Sequence, residues 1–202
     1  NRPVKKSENG WPVGRGVGIG WWPCGIEISS ARVMVNHDGG VDVAIGAVDL
    51  HGIRTGTAQV AAETLGIEPQ EVNVHSADTE GIPYTGNAAG SRITRTLSQA
   101  VFKAGTSVIQ QMKEKMAVRF GVQAEFVEYE DGYFYARDNQ DSKVSFKDAG
   151  AAVTKNGSNV VATASNNPGM RPANGYAMAV ADVEVDPDTG KVQLTDFTLF
   201  QD

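Results

Sequence analysis

The 202 residues carry 18 Lys and Arg against 24 Asp and Glu, a formal charge of −6, with 41% hydrophobic and 21% charged residues. This is ordinary globular composition and enough length for one domain or two small lobes. The scattered cations exclude an extended nucleic-acid surface, no apolar run approaches the roughly 18 residues of a membrane span, and the single cysteine, Cys24, allows no intrachain disulfide and favours a cytoplasmic chain.

Residues 1–13 read as an irregular lead-in: polar, without periodicity and without a signal-peptide pattern. Glycine then alternates through Gly14, Gly16, Gly18 and Gly20. With no helix pattern behind it, this predicts a glycine-rich strand lying close to another backbone rather than a phosphate loop. Trp21 and Trp22 are neighbours, so a strand turns them to opposite faces, one to the core and one to an edge or interface. Residues 31–35 and 41–45 are apolar strand patterns around Asp38-Gly39, a strong hairpin signal.

The stretch 46–95 holds two glycine-containing loops, each running into a helical pattern. The first, 49–55, predicts a helix capped by the Thr55 hydroxyl, with Val60, Ala61 and Leu65 on one face and Gly66 as its terminator. A short strand over 71–74 follows. The second loop contains Pro83, Gly86, Asn87 and Gly90 and leads into a long helix with the stripe Leu97, Val101, Ala104, Val108 and Met112, ending near Met116. Three- and four-residue spacing marks that stripe as core. Both loops bring backbone N–H groups to a helix N-terminus, a geometry suited to an anion. Arg54 and Arg92 supply cations, and Thr55, Ser91 and Thr94 supply hydroxyls. Ordinary helix capping, with Arg92 paired to a carboxylate, is the competing reading.

Beyond Gly121, residues 126–129 and 133–135 predict a hairpin around Asp131-Gly132, with 139–143 as a polar loop. Ser145 followed by Asp148 is a helix-start signature for a short helix through Val153. A strand over 160–163 and an irregular Asn/Pro/Gly loop over 166–174 come next. Two strands, 176–185 and 192–200, then flank the turn Asp186-Pro187-Asp188-Thr189-Gly190. Hairpins recurring between helices predict an α+β fold of repeated β-hairpin/helix units. Residues 14–202 form the folded region, open to division into two lobes, with 14–121 carrying both glycine loops. Asn1 at one end and a strand pattern running up to Asp202 at the other lead us to expect an excerpt of a longer chain.

Catalytic constellations are scarce. His37, His51 and His75 have no metal-ligand spacing and no cysteine support. There is no G-x-S-x-G elbow. Glu128, Glu130 and Asp131 read as a solvated hairpin, and Asp78 fixes its own loop. We assign no catalytic residue and no metal ligand.

An ordered set of motifs resembles the xanthine dehydrogenase/aldehyde oxidase family. The set comprises Gly14-Arg15-Gly16-Val17-Gly18, the run from Gly46 through Leu50-His51-Gly52 to Gly66, and Asp78-Thr79 with Pro83, Gly86, Gly90-Ser91-Arg92, Thr94 and Ala100-Val101. Val183-Glu184-Val185-Asp186 with Thr189-Gly190-Lys191-Val192 completes it. The resemblance covers nearly the whole chain. It implies part of the two-lobed molybdopterin-binding region of a molybdenum hydroxylase, holding the cofactor as a mononucleotide or a dinucleotide. Such an enzyme oxidises a purine, aldehyde or N-heterocycle with oxygen from water, while some relatives reduce an aryl-CoA or oxidise carbon monoxide. Iron–sulfur clusters and FAD on other domains or subunits take the electrons, so those domains or subunits and a small-molecule substrate are the partners, with homo-oligomers allowed. By position the resemblance implies cofactor contacts from His51, Gly52, Thr55, Gly86, Gly90, Ser91, Arg92 and Thr94. The family's Gly-Gln-Gly turn is here Leu50-His51-Gly52, one residue short relative to Asp49, and Ser98 stands where many relatives have Gly. The family's glutamate base belongs to a Gly-Gln-Gly-x-Gly-Glu-like segment that this sequence lacks, so the isolated chain is expected to be inactive. The alternative expectation is a scaffold or assembly domain that kept the fold and lost the cofactor.

Overall fold

β-Branched residues at alternate positions build the central sheet. Val33 of β2 (Ser30–Val35) lies opposite Val43 of β3 (Val41–Ile45) and Ala162 of β8 (Val161–Ser165), and Val43 opposite Val74 of β4 (Val72–Ser76). One apolar row thus crosses all four strands of the sheet, in the order β4-β3-β2-β8, and it is buried. The β2/β3 and β2/β8 pairs are antiparallel, whereas β3 and β4 run parallel. A parallel pair needs a crossover, here helix α1 (Ile53–Leu65). The computed structural model describes residues 7–76, 78–167, 169 and 171–202. Positions 1–6 of the lead-in, 77, and 168 and 170 of the Asn/Pro/Gly loop lie outside the described residues.

The 28-residue helix α2 (Ile93–Phe120) packs across β2 and β8 and beside α1. Its predicted stripe is the buried face, with Leu97, Val101, Ala104, Val108 and Met112 all at 1% exposure or less. Burying each of the larger of these contributes about 1.5–3 kcal/mol. The helix runs one turn beyond the expected end because Met116 and Ala117 extend the stripe, and Gly121 then stops it with φ 68°.

A three-stranded meander follows: β5 (Val127–Glu130), β6 (Tyr133–Ala136) and β7 (Asn139–Ser145). The sequence predicts a polar loop where β7 stands. β7 is an edge strand paired to β6, and its first three residues are exposed, so no apolar alternation marks it. Tyr129, Phe134 and Phe146 form an aromatic cluster, Phe134 and Phe146 stacked and Tyr129 meeting Phe146 edge-on, and the Tyr129 hydroxyl donates to the Leu65 carbonyl at the end of α1. Helix α3 (Phe146–Lys155) starts as predicted, with the Ser145 hydroxyl accepting from the Asp148 amide at 3.1 Å.

These elements form one compact unit, Gly25–Arg171; the other comprises Asn1–Cys24 and Pro172–Asp202. The second unit is an antiparallel sheet ordered β1-β9-β10, from β1 (Val13–Pro23), β9 (Asn174–Val185) and β10 (Val192–Gln201). The alternating glycines do form a strand, and Gly16, Gly18 and Gly20 face Ala181, Ala179 and Ala177 of β9. The expectation that one tryptophan enters a core fails. Trp21 and Trp22 are both 58% exposed, because each face of this sheet carries solvent-facing side chains.

Candidate functional site

The loop entering α1 ends at Gly52, whose φ of 71° is left-handed and suits glycine. Gly52 is the N-cap residue. Its carbonyl accepts from the Gly56 amide at 3.0 Å, and no side chain caps the helix. The expected Thr55 cap is therefore displaced: the helix begins at Ile53, so Thr55 sits inside its first turn, where its hydroxyl cannot play the N-cap part. The loop entering α2 also passes through left-handed backbone, before a right-handed N-cap, Arg92. Gly90 has φ 63° and Ser91 φ 57°, two consecutive left-handed residues, and no side chain caps α2 either. The first intrahelical bond runs from the Thr96 amide to the Arg92 carbonyl at 2.9 Å. At each helix the amides of the first turn, Ile53 to Thr55 and Ile93 to Arg95, have no acceptor within the helix. Neither first turn contains an acidic residue.

Both N-termini open on one pocket of about 410 Å³. Val48, Leu50, His51 and Ile53 line it from the first loop and helix, and Ala88 through Thr94 from the second. Among the described residues no carboxylate lines it. The partial positive charge of two helix ends, an apolar wall and an exposed imidazole thus share one concavity. This donor set suits an anion with an apolar body.

The predicted residues divide. His51, Gly90, Ser91, Arg92 and Thr94 meet at the pocket, with Gly52 as the α1 cap beside it. Thr55 lines a different cavity, with Asp49, Arg54 and Asn73. Gly86 is buried against Glu27 and Arg92, where a Cβ would lie 2.4 Å from Glu27 Oε2 and 2.6 Å from Arg92 Nη2.

Arg92 is only 2% exposed. Its Nη2 pairs with Glu27 Oε2 at 2.8 Å and donates to the Asn87 carbonyl, while Nη1 donates to Ser29 Oγ at 3.2 Å. Its Nε is buried without a hydrogen-bond partner. Ser29 Oγ also bonds Thr96 Oγ1 at 2.8 Å, and the Ser29 amide donates to Asn166 Oδ1 at 2.7 Å. Glu27, Ser29, Thr96 and Asn166 are scattered along the chain with no local pattern, and sequence reading missed all four. No group of His, Cys, Asp and Glu suited to a metal occurs among the described residues, and no helix is long and apolar enough to cross a membrane.

The uncapped first-turn donors fit a phosphate-bearing cofactor, and comparison with known proteins names its class. The family described as "Molybdopterin cofactor-binding domain" matches residues 1–202. The chain belongs to this family, the cofactor-binding domain of molybdenum hydroxylases. A xanthine dehydrogenase molybdenum-binding subunit of Escherichia coli is 33% identical over 117 residues, covering 54% of this chain and 15% of that protein. The 6-hydroxypseudooxynicotine dehydrogenase complex subunit gamma of Paenarthrobacter nicotinovorans is 27% identical over 201 residues, covering 94% of this chain and 25% of that one. Reconstituted CO dehydrogenase from Oligotropha carboxidovorans shares the fold at TM-score 0.82 and 19% identity, over 94% of this chain and 26% of that chain. The chain therefore spans a quarter or less of the length of these two curated relatives. The α+β fold expected from the hairpin–helix pattern stands.

Proposed function

We propose that the pocket between the α1 and α2 N-termini holds the phosphate-bearing part of molybdopterin. The parent enzyme in this reading is a cytoplasmic molybdenum hydroxylase that oxidises a purine, aldehyde or N-heterocycle. The observation that carries the reading is the convergence of two helix ends, neither capped by a side chain nor acidic, on a pocket that no carboxylate lines among the described residues. When bound, the cofactor supplies the metal centre at which oxygen from water reaches the substrate. This chain's own residues bind and orient. First-turn amides of both helices receive the phosphate, Ser91 and Thr94 offer hydroxyls, His51 closes the first loop side, and Val48, Leu50 and Ile93 keep water from the apolar face. Gly52 and Gly90 set the backbone that aims these amides. Thr55 and Gly86 act from behind, in the helix turn and in the packing of Arg92. Iron–sulfur and flavin domains or subunits complete the electron path. No catalytic base belongs to this chain, so alone it binds without turnover.

An amide-resolved titration with inorganic phosphate tests the pocket. Shifts concentrated at residues 52–55 and 90–95, saturating in the millimolar range or tighter, are expected. Shifts scattered over the surface lysines, or none, count against it. A second reading, a scaffold that no longer holds cofactor, is favoured by one observation: the Arg92 guanidinium is engaged inside the protein. The same titration separates the two.

A further inference from the structure

Among the described residues Arg92 is the one permanent cation lining the pocket, yet its polar contacts Glu27, Ser29 and Asn87 do not line it. These partners belong to the segment before β2 and to the loop before α2. The same two segments are stitched by backbone bonds, from the Gly25 amide to the Gly90 carbonyl at 2.8 Å and from the Gly86 amide to the Ile28 carbonyl at 2.9 Å. The stitched loop contains the left-handed pair Gly90–Ser91. For serine that conformation is costly and persists only where the surroundings over-determine it. Gly86 leaves no space for a Cβ beside the ion pair, and the Gly25 Cα lies close enough that a Cβ there would meet Arg92 Cδ at 3.5 Å.

We propose that Arg92 is a positioning residue. Its buried guanidinium clamps the 25–29 segment to the 86–91 loop and so fixes the Gly90–Ser91 backbone and the α2 N-terminus in the shape their amides need to receive an anion. The inference rests on the pocket reading above and deepens it, because it assigns anion contact at α2 to backbone amides and removes the guanidinium from that role. Glu27 and Gly86 become parts of the same device, although neither lines the pocket.

The test uses the chain with inorganic phosphate as probe and three variants, Arg92→Lys, Glu27→Gln and Gly86→Ala. Glu27→Gln and Gly86→Ala change residues outside the pocket and guard against a variant that merely fails to fold. Amide exchange of Gly25, whose bond to Gly90 reports the clamp, is measured without phosphate. Each variant should exchange this amide about tenfold faster, the factor that corresponds to losing roughly 1.4 kcal/mol. Each should also lose phosphate response at residues 93–95 while keeping it at 53–55. A guanidinium that binds the anion directly predicts the opposite for Glu27→Gln: the freed cation tightens phosphate binding. That result overturns the proposal, as does rescue of the α2 response by Arg92→Lys, which would make charge rather than clamping the requirement. A wild-type phosphate response that all three variants leave unchanged overturns this inference alone. Absence of any response in the wild-type chain overturns the pocket reading and this inference together.

Discussion

Helix α3 and the pair α1 and α2 begin in opposite ways. At α3 the protein satisfies its own helix end. Ser145 Oγ accepts from the Asp148 amide at 3.1 Å and donates to Asp148 Oδ2 at 2.7 Å, so a cap and a first-turn carboxylate meet the dipole. At α1 and α2 the N-cap positions are Gly52 and Arg92, neither makes a side-chain cap, and no acid enters either first turn. An uncapped end alone means little, since water serves it. Two uncapped ends facing one pocket that no carboxylate lines among the described residues support the proposal that the place is kept for something negative.

The largest effect should come from making α2 resemble α3. Thr94 is exposed, lines the pocket and lies in the first turn. Thr94→Asp adds a carboxylate there, which should stabilise the helix by about 0.3–1 kcal/mol. The same charge should weaken phosphate binding by more than about tenfold, since repulsion of some 1.4 kcal/mol suffices. Thermal unfolding and the phosphate titration should therefore move in opposite senses. A variant that binds phosphate as the parent does would place the anion elsewhere.

The converse change is smaller. Ser145→Ala removes the α3 cap and should cost about 1 kcal/mol in urea unfolding, with the phosphate response at 53–55 and 93–95 unaltered. A loss of phosphate binding in this variant would mean that the capped and uncapped ends are coupled, and the comparison would collapse.

The difference between the ends was partly legible in the sequence. The α2 stripe, the Ser145–Asp148 cap and the hairpin at Asp131-Gly132 follow local rules, and local rules are written in adjacent residues. The two loops were recognisable as helix entries, but the start of α1 was not. A threonine hydroxyl outweighed a glycine in the reading, whereas the backbone needed a left-handed residue and took Gly52. β7 was hidden because an exposed edge strand has no buried face to pattern. The β1–β9 pairing joins positions such as Val17 and Val180, and the Arg92–Glu27 ion pair joins the second loop to a glutamate far upstream. Neither leaves a periodic trace. For the site, the loops marked Ser91, Arg92 and Thr94 and the family resemblance added His51 and Gly90, while the placement of Thr55 and Gly86 outside the pocket depended on tertiary contacts.

The smallest effect tests whether internal satisfaction of the α3 kind also operates in the Asn1–Cys24 and Pro172–Asp202 unit. In the turn between β9 and β10, Asp186 Oδ2 accepts from Thr189 Oγ1 at 2.7 Å and Oδ1 from the Asp188 amide at 2.9 Å. The Thr189 hydroxyl first, and then the Asp188 amide, hold this carboxyl below its ordinary value. A carboxyl depressed in the folded state contributes stability above the unfolded value, about 3.9, and loses it as pH falls through the lower folded value. Asp186→Asn removes the titration. The parent should therefore be slightly the more stable at neutral pH, and the gap should close on acidification below about pH 4. Because the turn is exposed, the gap is best followed by the amide signals of Thr189 and Gly190 rather than by global unfolding. A gap that widens with acid would reverse the sign and show that these bonds favour the protonated carboxyl. The turn would then be unlike Ser145–Asp148, where an anion sits among donors that the chain itself provides.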